Sequence, residues 1–203
     1  MTVRNPIPLT EISLLILAGG KGSRMHGQDK GLMEVAGKPA VEHLLERFSA
    51  CPCPVLISAN RNLERYAAYG HRVIQDTLDD FRGPLAGMLA GLMATTRKYV
   101  LTLPVDAPLV SAQYPERMAS ALGKNGGKAC VAGLNQRFEP VFCLLDRSLA
   151  PDLQDYLDRG HRAANGWLKE IAALPVDFSD SPQQFINLNV EQDQKLLRRY
   201  LSP

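Results

Sequence analysis

Residues 14–37 read LLILAGGKGSRMHGQDKGLMEVAG, an apolar run followed by a glycine-rich, basic loop around which the chain is organised. Leu14, Leu15, Ile16 and Leu17 form a short apolar run ended by glycine, which predicts a buried strand. Beyond it lie Gly19, Gly20, Gly22 and Gly27, where the missing side chains let backbone approach a ligand closely. Threaded among them are Lys21, Arg24 and Lys30, against the single carboxylate of Asp29. Backbone N–H groups combined with concentrated positive charge are what a polyphosphate requires. Glycine-rich turns and solvated basic residues are each common. Here their position directly after a strand agrees with the charge, and that agreement predicts a phosphate-binding loop. Two familiar loops are excluded. Gly22 and Gly27 have the P-loop glycine spacing, but Gln28 and Asp29 follow where Lys and Ser or Thr are needed. The dinucleotide fingerprint fails because Gly20-Lys21-Gly22-Ser23-Arg24 ends at Met25 instead of glycine.

Composition sets the class. A chain of 203 residues with 45% hydrophobic and 22% charged residues predicts one globular domain able to bury a sizeable core. A formal net charge of +2 argues against bulk nucleic-acid binding, which needs a basic stripe. The segment MTVRNPIPLTEIS contains two prolines and no apolar core, unlike a signal peptide, and no stretch approaches the ~18 apolar residues of a membrane span. Of the four cysteines, Cys51 and Cys53 flank a proline, while Cys130 and Cys143 sit in apolar strand-like runs. That pattern predicts buried, reduced thiols rather than a metal or disulfide framework, and hence a cytoplasmic protein.

Taken in order, the chain predicts a first strand over Ile12–Ala18, the basic loop to Gly31, and a helix opened by Pro39 with Val41, Leu44, Leu45 and Phe48 as its apolar stripe. A second strand follows at Val55–Ile57, ending in Ser58-Ala59-Asn60, then a short helix over Leu63–Ala68 and a third strand over Arg72–Gln75 capped by Asp76. Pro84 begins a helix through Ala94 whose small residues Ala86, Gly87, Ala90 and Gly91 let it lie close to a sheet. Tyr99–Leu103 is the fourth strand, stopped by Pro104-Val105-Asp106-Ala107-Pro108. Strand–helix alternation of this kind marks a parallel sheet with helices on both sides. A helix over Gln113–Leu122 precedes two strands, Ala129–Ala132 and Phe138–Leu145, joined closely enough to be an antiparallel addition. Helices over Leu149–Leu157 and Trp167–Ala172, a short strand at Phe185–Leu188 and a helix over Glu191–Leu201 complete the expectation. The fold class is α/β, a three-layer Rossmann-like domain whose mixed sheet is mostly parallel.

In open parallel sheets, ligands sit outside the carboxyl ends of the strands. Each predicted parallel strand ends in polar residues: Gly19–Lys30, then Ser58 and Asn60, then Asp76, then Asp106. Asp106, flanked by Pro104 and Pro108, stands on a stiff turn where a carboxylate is aimed at little entropic cost. Magnesium takes one or two protein carboxylates and completes its octahedron with water and phosphate oxygens, so Asp106 is the metal candidate.

LAGGKGSRMHGQDKGLMEVAGKP (residues 17–39) resembles the nucleotidyltransferase signature, and its Ala-Gly-Gly with Asp-Lys-Gly is similar to the molybdenum cofactor guanylyltransferases. Arg82-Gly83-Pro84-Leu85-Ala86-Gly87-Met88 is similar to that family's G-P-L-A-G-M segment, where a helix N-terminus faces the nucleotide. Val176-Asp177-Phe178-Ser179-Asp180 and Phe185-Ile186-Asn187-Leu188-Asn189 resemble its C-terminal pattern. The resemblance implies the Rossmann-like nucleotidyltransferase architecture and transfer of GMP from GTP to the phosphate of the molybdenum–molybdopterin cofactor, with Mg2+. It divides the single domain into a GTP-binding part up to about residue 110 and an acceptor-binding remainder. It also implies that Lys30 bridges the reacting phosphates, Arg24 holds the β/γ-phosphates, and Asp106 binds the metal.

The same resemblance puts Leu17, Ala18, Gly19 and Gly20 against the base and phosphates, Asp76 near the base or ribose, and Asn187 and Asn189 on the acceptor. Ser58 stands where the family commonly has asparagine, with Asn60 two residues on, and His26 where its loop often has glycine. Implied partners beyond the two substrates are transient, namely molybdenum-insertion proteins and molybdoenzyme chaperones, with neither nucleic acid nor membrane. The competing functions are a cytidylyltransferase or other small nucleotidyltransferase of the same fold, and a non-catalytic cofactor carrier.

Overall fold

A computed structural model describes residues 5–19, 29–76, 83–188 and 200–201. Strand β1 (Ile12–Leu17) leads, through a 3₁₀ turn at Lys30–Leu32, into a small hairpin of β2 (Glu34–Val35) and β3 (Lys38–Pro39). Next come α1 (Ala40–Arg47), β4 (Val55–Ser58), α2 (Leu63–Ala67) and β5 (Arg72–Ile74). The chain continues through α3 (Pro84–Ala94), β6 (Tyr99–Pro104), α4 (Tyr114–Asn125), β7 (Ala129–Leu134) and β8 (Arg137–Asp146). It then runs through α5 (Ala150–Asp158), α6 (Ala164–Glu170) and β9 (Leu174–Asp177). Seven strands form the main sheet in the order β5-β4-β1-β6-β8-β7-β9. Strand β8 is antiparallel to both its neighbours, and the other pairings are parallel. This is the α/β architecture that the sequence predicts.

Every residue of β1 is buried, because both faces of the sheet are covered. Ile12, Leu14 and Ile16 point into the layer holding α1 and α4, while Leu15 and Leu17 point into the layer holding α3, α5 and α6. The small residues of α3 do what the sequence leads one to expect. A Cβ at Gly91 would come within 2.3 Å of Leu15 Cδ2, and one at Gly87 within 2.7 Å of Leu17 Cδ2. Helix and strand therefore touch almost backbone to side chain.

Strand order reverses at β1. The chain steps outward through β4 and β5, then returns to β6 on the other flank of β1. Beyond the Leu101–Leu144 pair the β6–β8 ladder stops, and the Thr102 hydroxyl takes over, donating to Val141 O (2.6 Å) and accepting from Cys143 N (3.1 Å). The carboxyl end of β6 is thus released from its antiparallel neighbour just before Asp106.

One expected strand is absent and several expected boundaries shift, among them the third strand, which ends at Ile74, and the helix expected over Trp167–Ala172, which is Ala164–Glu170. Phe185–Leu188 is not a strand: Pro182–Phe185 is a 3₁₀ turn, and Leu188 is tied to the Asp106 carbonyl by its N–H at 2.7 Å. Phe185 is claimed by an aromatic cluster, with ring centroids 4.7 Å from Phe142 and 5.4 Å from Phe178, and Leu188 packs with Val35, Ala40 and Leu109. The apolar alternation there serves loop packing. The last strand of the sheet is β9, pairing parallel with β7; its Pro175 fits an edge position, where a missing N–H costs little. The first strand ends at Leu17, one residue short of the expected Ala18. Of the expected terminal helix only Tyr200 and Leu201, both helical, lie within the described residues.

No helix among the described residues is long and apolar enough to cross a membrane. All four thiols are free; Cys53, Cys130 and Cys143 are buried, whereas Cys51 is only half-buried. Burial pushes the Cys130 thiol up to about 12 and that of Cys143 well above the ordinary thiol range.

Two measurements check this packing. Gly91→Leu should lower stability by about 1–3 kcal/mol, read as an earlier urea midpoint, because the added side chain has no space against Leu15; an unchanged midpoint would contradict the close helix–strand contact. At pH 8 a disulfide-forming thiol reagent should modify Cys51 first and leave Cys130 and Cys143 untouched until denaturant is added. Rapid modification of all four native thiols would show the core to be open.

Candidate active site

The carboxyl ends of four adjacent parallel strands are stitched together by backbone bonds. Val105 N donates to Leu17 O (3.0 Å), Ala18 N to Ser58 O (2.8 Å) and Ala59 N to Ile74 O (3.0 Å). Leu17 lies opposite Pro104 in the register, so the loop leaving β1 and the turn leaving β6 start side by side. Asp106 is the point of that turn. Its neighbours Val105 and Ala107 are buried, which leaves the carboxylate to face the crevice with its side chain 14% exposed.

Lys30 arrives from the far end of the loop. Its ammonium donates to Asp106 Oδ2 at 2.7 Å, joining residues 76 apart in sequence, and its side chain is 28% exposed. The two candidates for metal and transition-state charge are therefore in contact. A charge-assisted bond of this length is among the stronger polar contacts available.

The other expected residues divide. Gly19 is exposed at the end of β1, and a Cβ added to it would meet Asn60 Nδ2 at 3.6 Å, so Asn60 overlies the start of the loop. Asn60 Oδ1 in turn accepts from Asp76 N at 3.2 Å, which gathers Gly19, Asn60 and Asp76 at one rim. Ser58 is turned the other way: it is buried, with Oγ only 2.9 Å from where a Cβ on Gly87 would sit, beneath α3. Leu17 O and Ala18 N are already engaged by the sheet, so among the described residues expected to meet the nucleotide through backbone Gly19 is the exposed one. Asn187 comes next to Asp106 through the Leu188–Asp106 bond, and its buried Oδ1 has no hydrogen-bond partner among the described residues. A buried amide oxygen left unpaired is costly unless something else donates to it or binds it. Gly20, Arg24, His26 and Asn189 lie outside the described residues.

In the sequence Asp29 is the loop's lone carboxylate and the first residue of Asp-Lys-Gly, with no role of its own; in the structure its carboxylate accepts three hydrogen bonds from described residues. Its Oδ1 accepts from Tyr66 Oη (2.6 Å) and Gly31 N (3.2 Å), and its Oδ2 from Asn62 Nδ2 (2.9 Å). Beside the Asp-Lys-Gly motif, the sequence signal for this role is the spacing of Asn62 and Tyr66, four apart and hence on one face of a helix turn.

The chain resembles known proteins along most of its length. A family model described as the MobA-like NTP transferase domain matches residues 14–174. The molybdenum cofactor guanylyltransferase of Shewanella sediminis is 41% identical over 187 residues, covering 92% of this chain and 95% of that protein. The enzyme of the same name from Ralstonia nicotianae is 41% identical over 192 residues, covering 90% and 94%. Among solved structures, molybdopterin-guanine dinucleotide biosynthesis protein A from Archaeoglobus fulgidus superposes with a TM-score of 0.79 at 22% identity, covering 94% of this chain and 98% of that one. Likeness of fold extends to the 2-C-methyl-D-erythritol 4-phosphate cytidylyltransferase of Thermus thermophilus, with a TM-score of 0.68 at 16% identity, covering 93% and 97%. A relative at this level of identity over nine-tenths of the chain is decisive: the chain belongs to the MobA-like NTP transferase family, with the molybdenum cofactor guanylyltransferases.

Proposed function

We propose that the protein transfers GMP from GTP to the terminal phosphate of the molybdenum–molybdopterin cofactor, giving the guanine dinucleotide form and pyrophosphate. The observation that carries the reading is the Lys30–Asp106 contact at the carboxyl ends of β1 and β6, in a chain of this family. An oxygen of the acceptor phosphate attacks the α-phosphorus of GTP in line. A new P–O bond forms as the bond to the β-phosphate bridging oxygen breaks, and pyrophosphate departs. No covalent bond to the enzyme is required, so catalysis rests on alignment and on neutralising phosphate charge. Lys30 contributes a cation to the reacting phosphates, and Arg24 one to the β/γ-phosphates. Gly19 and Gly20 let backbone approach the phosphates, with Leu17 and Ala18 as the rigid sheet edge behind them. Asn60 and Asp76 face the nucleoside, with Ser58 as buried support under α3. Asn187 and Asn189 serve the acceptor. The chain up to about residue 110 binds GTP and the remainder binds the acceptor.

The donors present suit a hard cation. Asp106 offers carboxylate oxygen, and the orphaned Oδ1 of Asn187 lies one residue from the Leu188–Asp106 bond. Among the described residues no three acidic, histidine or cysteine side chains gather into a cage, so an ion on Asp106 would complete its shell with phosphate and water, as magnesium does. Magnesium held there by Asp106 would supply positive charge to the reacting phosphates. Molybdenum-insertion proteins and molybdoenzyme chaperones are the proposed transient partners, and the cytoplasm is the proposed location.

The test is a nucleotide panel measuring pyrophosphate release with the pterin acceptor present. GTP should be preferred over CTP, chelation should stop release, and added Mg2+ should restore it. Preference for CTP would make the protein a cytidylyltransferase, and GTP binding without metal-dependent release would make it a carrier. Asn187→Ala should raise KM for the acceptor while leaving KM for GTP nearly unchanged; the reverse pattern would remove Asn187 from the acceptor side.

A further inference from the structure

Asp29 directly precedes Lys30, and the way it is held has a bearing on catalysis. Asn62 and Tyr66 reach it together from α2: Asn62 starts the helix in a left-handed conformation (φ 52°), Tyr66 N closes the first turn on Asn62 O at 3.1 Å, and both side chains bond the Asp29 carboxylate. Tyr66 is completely buried and belongs to the core cluster that also holds Val41 and Leu44 of α1, so the grip is anchored in the packed layer rather than in a loop. Burial, reinforced by the Asp29 carboxylate, pushes the Tyr66 phenol well above its ordinary range, so it remains a donor throughout the working pH.

Gly31, on the other side of Lys30, is pinned as well. A Cβ there would come within 2.3 Å of Tyr66 Oη and 2.7 Å of Val105 Cγ2. The 3₁₀ turn carrying Lys30 is thus wedged between Tyr66 and the residue preceding Asp106. One phenol and one valine set the separation of the two halves of the Lys30–Asp106 pair. A lysine on a flexible stem directs its charge only as well as its backbone is fixed, and in-line transfer is sensitive to misplacement of about 1 Å.

We infer that Tyr66 and Asn62 are positioning residues: acting through Asp29, they fix the turn that aims Lys30 at the reacting phosphates. The inference rests on the guanylyl-transfer reading, and turnover by the wild-type enzyme tests that reading by itself. The clamp is tested by a double-mutant cycle on kcat and KM, using Tyr66→Phe, which keeps the ring and removes only the hydroxyl. Tyr66→Phe should lower kcat about 10-fold or more, with KM for GTP changed by no more than about 2-fold. Asn62→Ala should act in the same direction. In a Lys30→Ala background Tyr66→Phe should cause no further loss, because the residue it positions is already gone. An equal fold-loss in both backgrounds would make Tyr66 a merely structural residue and overturn the inference. So would a raised KM with kcat unchanged.

Discussion

The contact between Lys30 and Asp106 is what the remainder of the site depends on. It joins the loop leaving the first strand to the turn leaving the sixth, across 76 residues of sequence. Such a pair does little for stability, since removing two charges from water offsets most of their attraction. Its value is local. A cation and an anion are held half-desolvated and in register at the carboxyl ends of β1 and β6. The sheet supplies the register: Leu17 lies opposite Pro104, and Val105 N donates to Leu17 O, so the two chain ends are tied at their roots.

Much of this was legible in the sequence because the decisive residues are consecutive. An apolar run flanked by glycine, a cationic loop, and an aspartate between two prolines each declare a local structure, and their order along the chain declares parallel strands. The close seat of α3 on β1 could be read from Gly87 and Gly91, because only small residues admit such an approach. What was not legible depends on partners distant in sequence. Phe185-Ile186-Asn187-Leu188 has the composition of a strand, yet Phe142 and Phe178 capture Phe185 before it can pair. Strand β9 carries Pro175 and exposed residues, and is recognisable only once β7 is there to receive it. Ser58 ends a strand as expected, but nothing in the sequence says that its hydroxyl turns under Gly87 while Asn60 takes the rim.

The segment that carries Asn187 follows the same logic of anchoring. Tyr114, Phe142, Phe178 and Phe185 form a chain of ring contacts, each adding about 0.5–1.5 kcal/mol beyond area burial, and they hold the segment that ends in Asn187. Gln184 reinforces it by accepting from Ser111 N at 2.9 Å, on the segment leading from the Asp106 turn to α4. Two segments distant in sequence therefore meet at Asp106, the Lys30 turn through its side chain and the segment of Leu188 through its carbonyl.

The most direct test is single-turnover guanylyl transfer by Lys30→Ala, with GTP binding and circular dichroism measured on the same sample. If Lys30 neutralises charge on the reacting phosphates, the transfer rate should fall by about 10²–10³-fold while the fold is retained and GTP still binds. A transfer rate near that of the wild type would contradict the account.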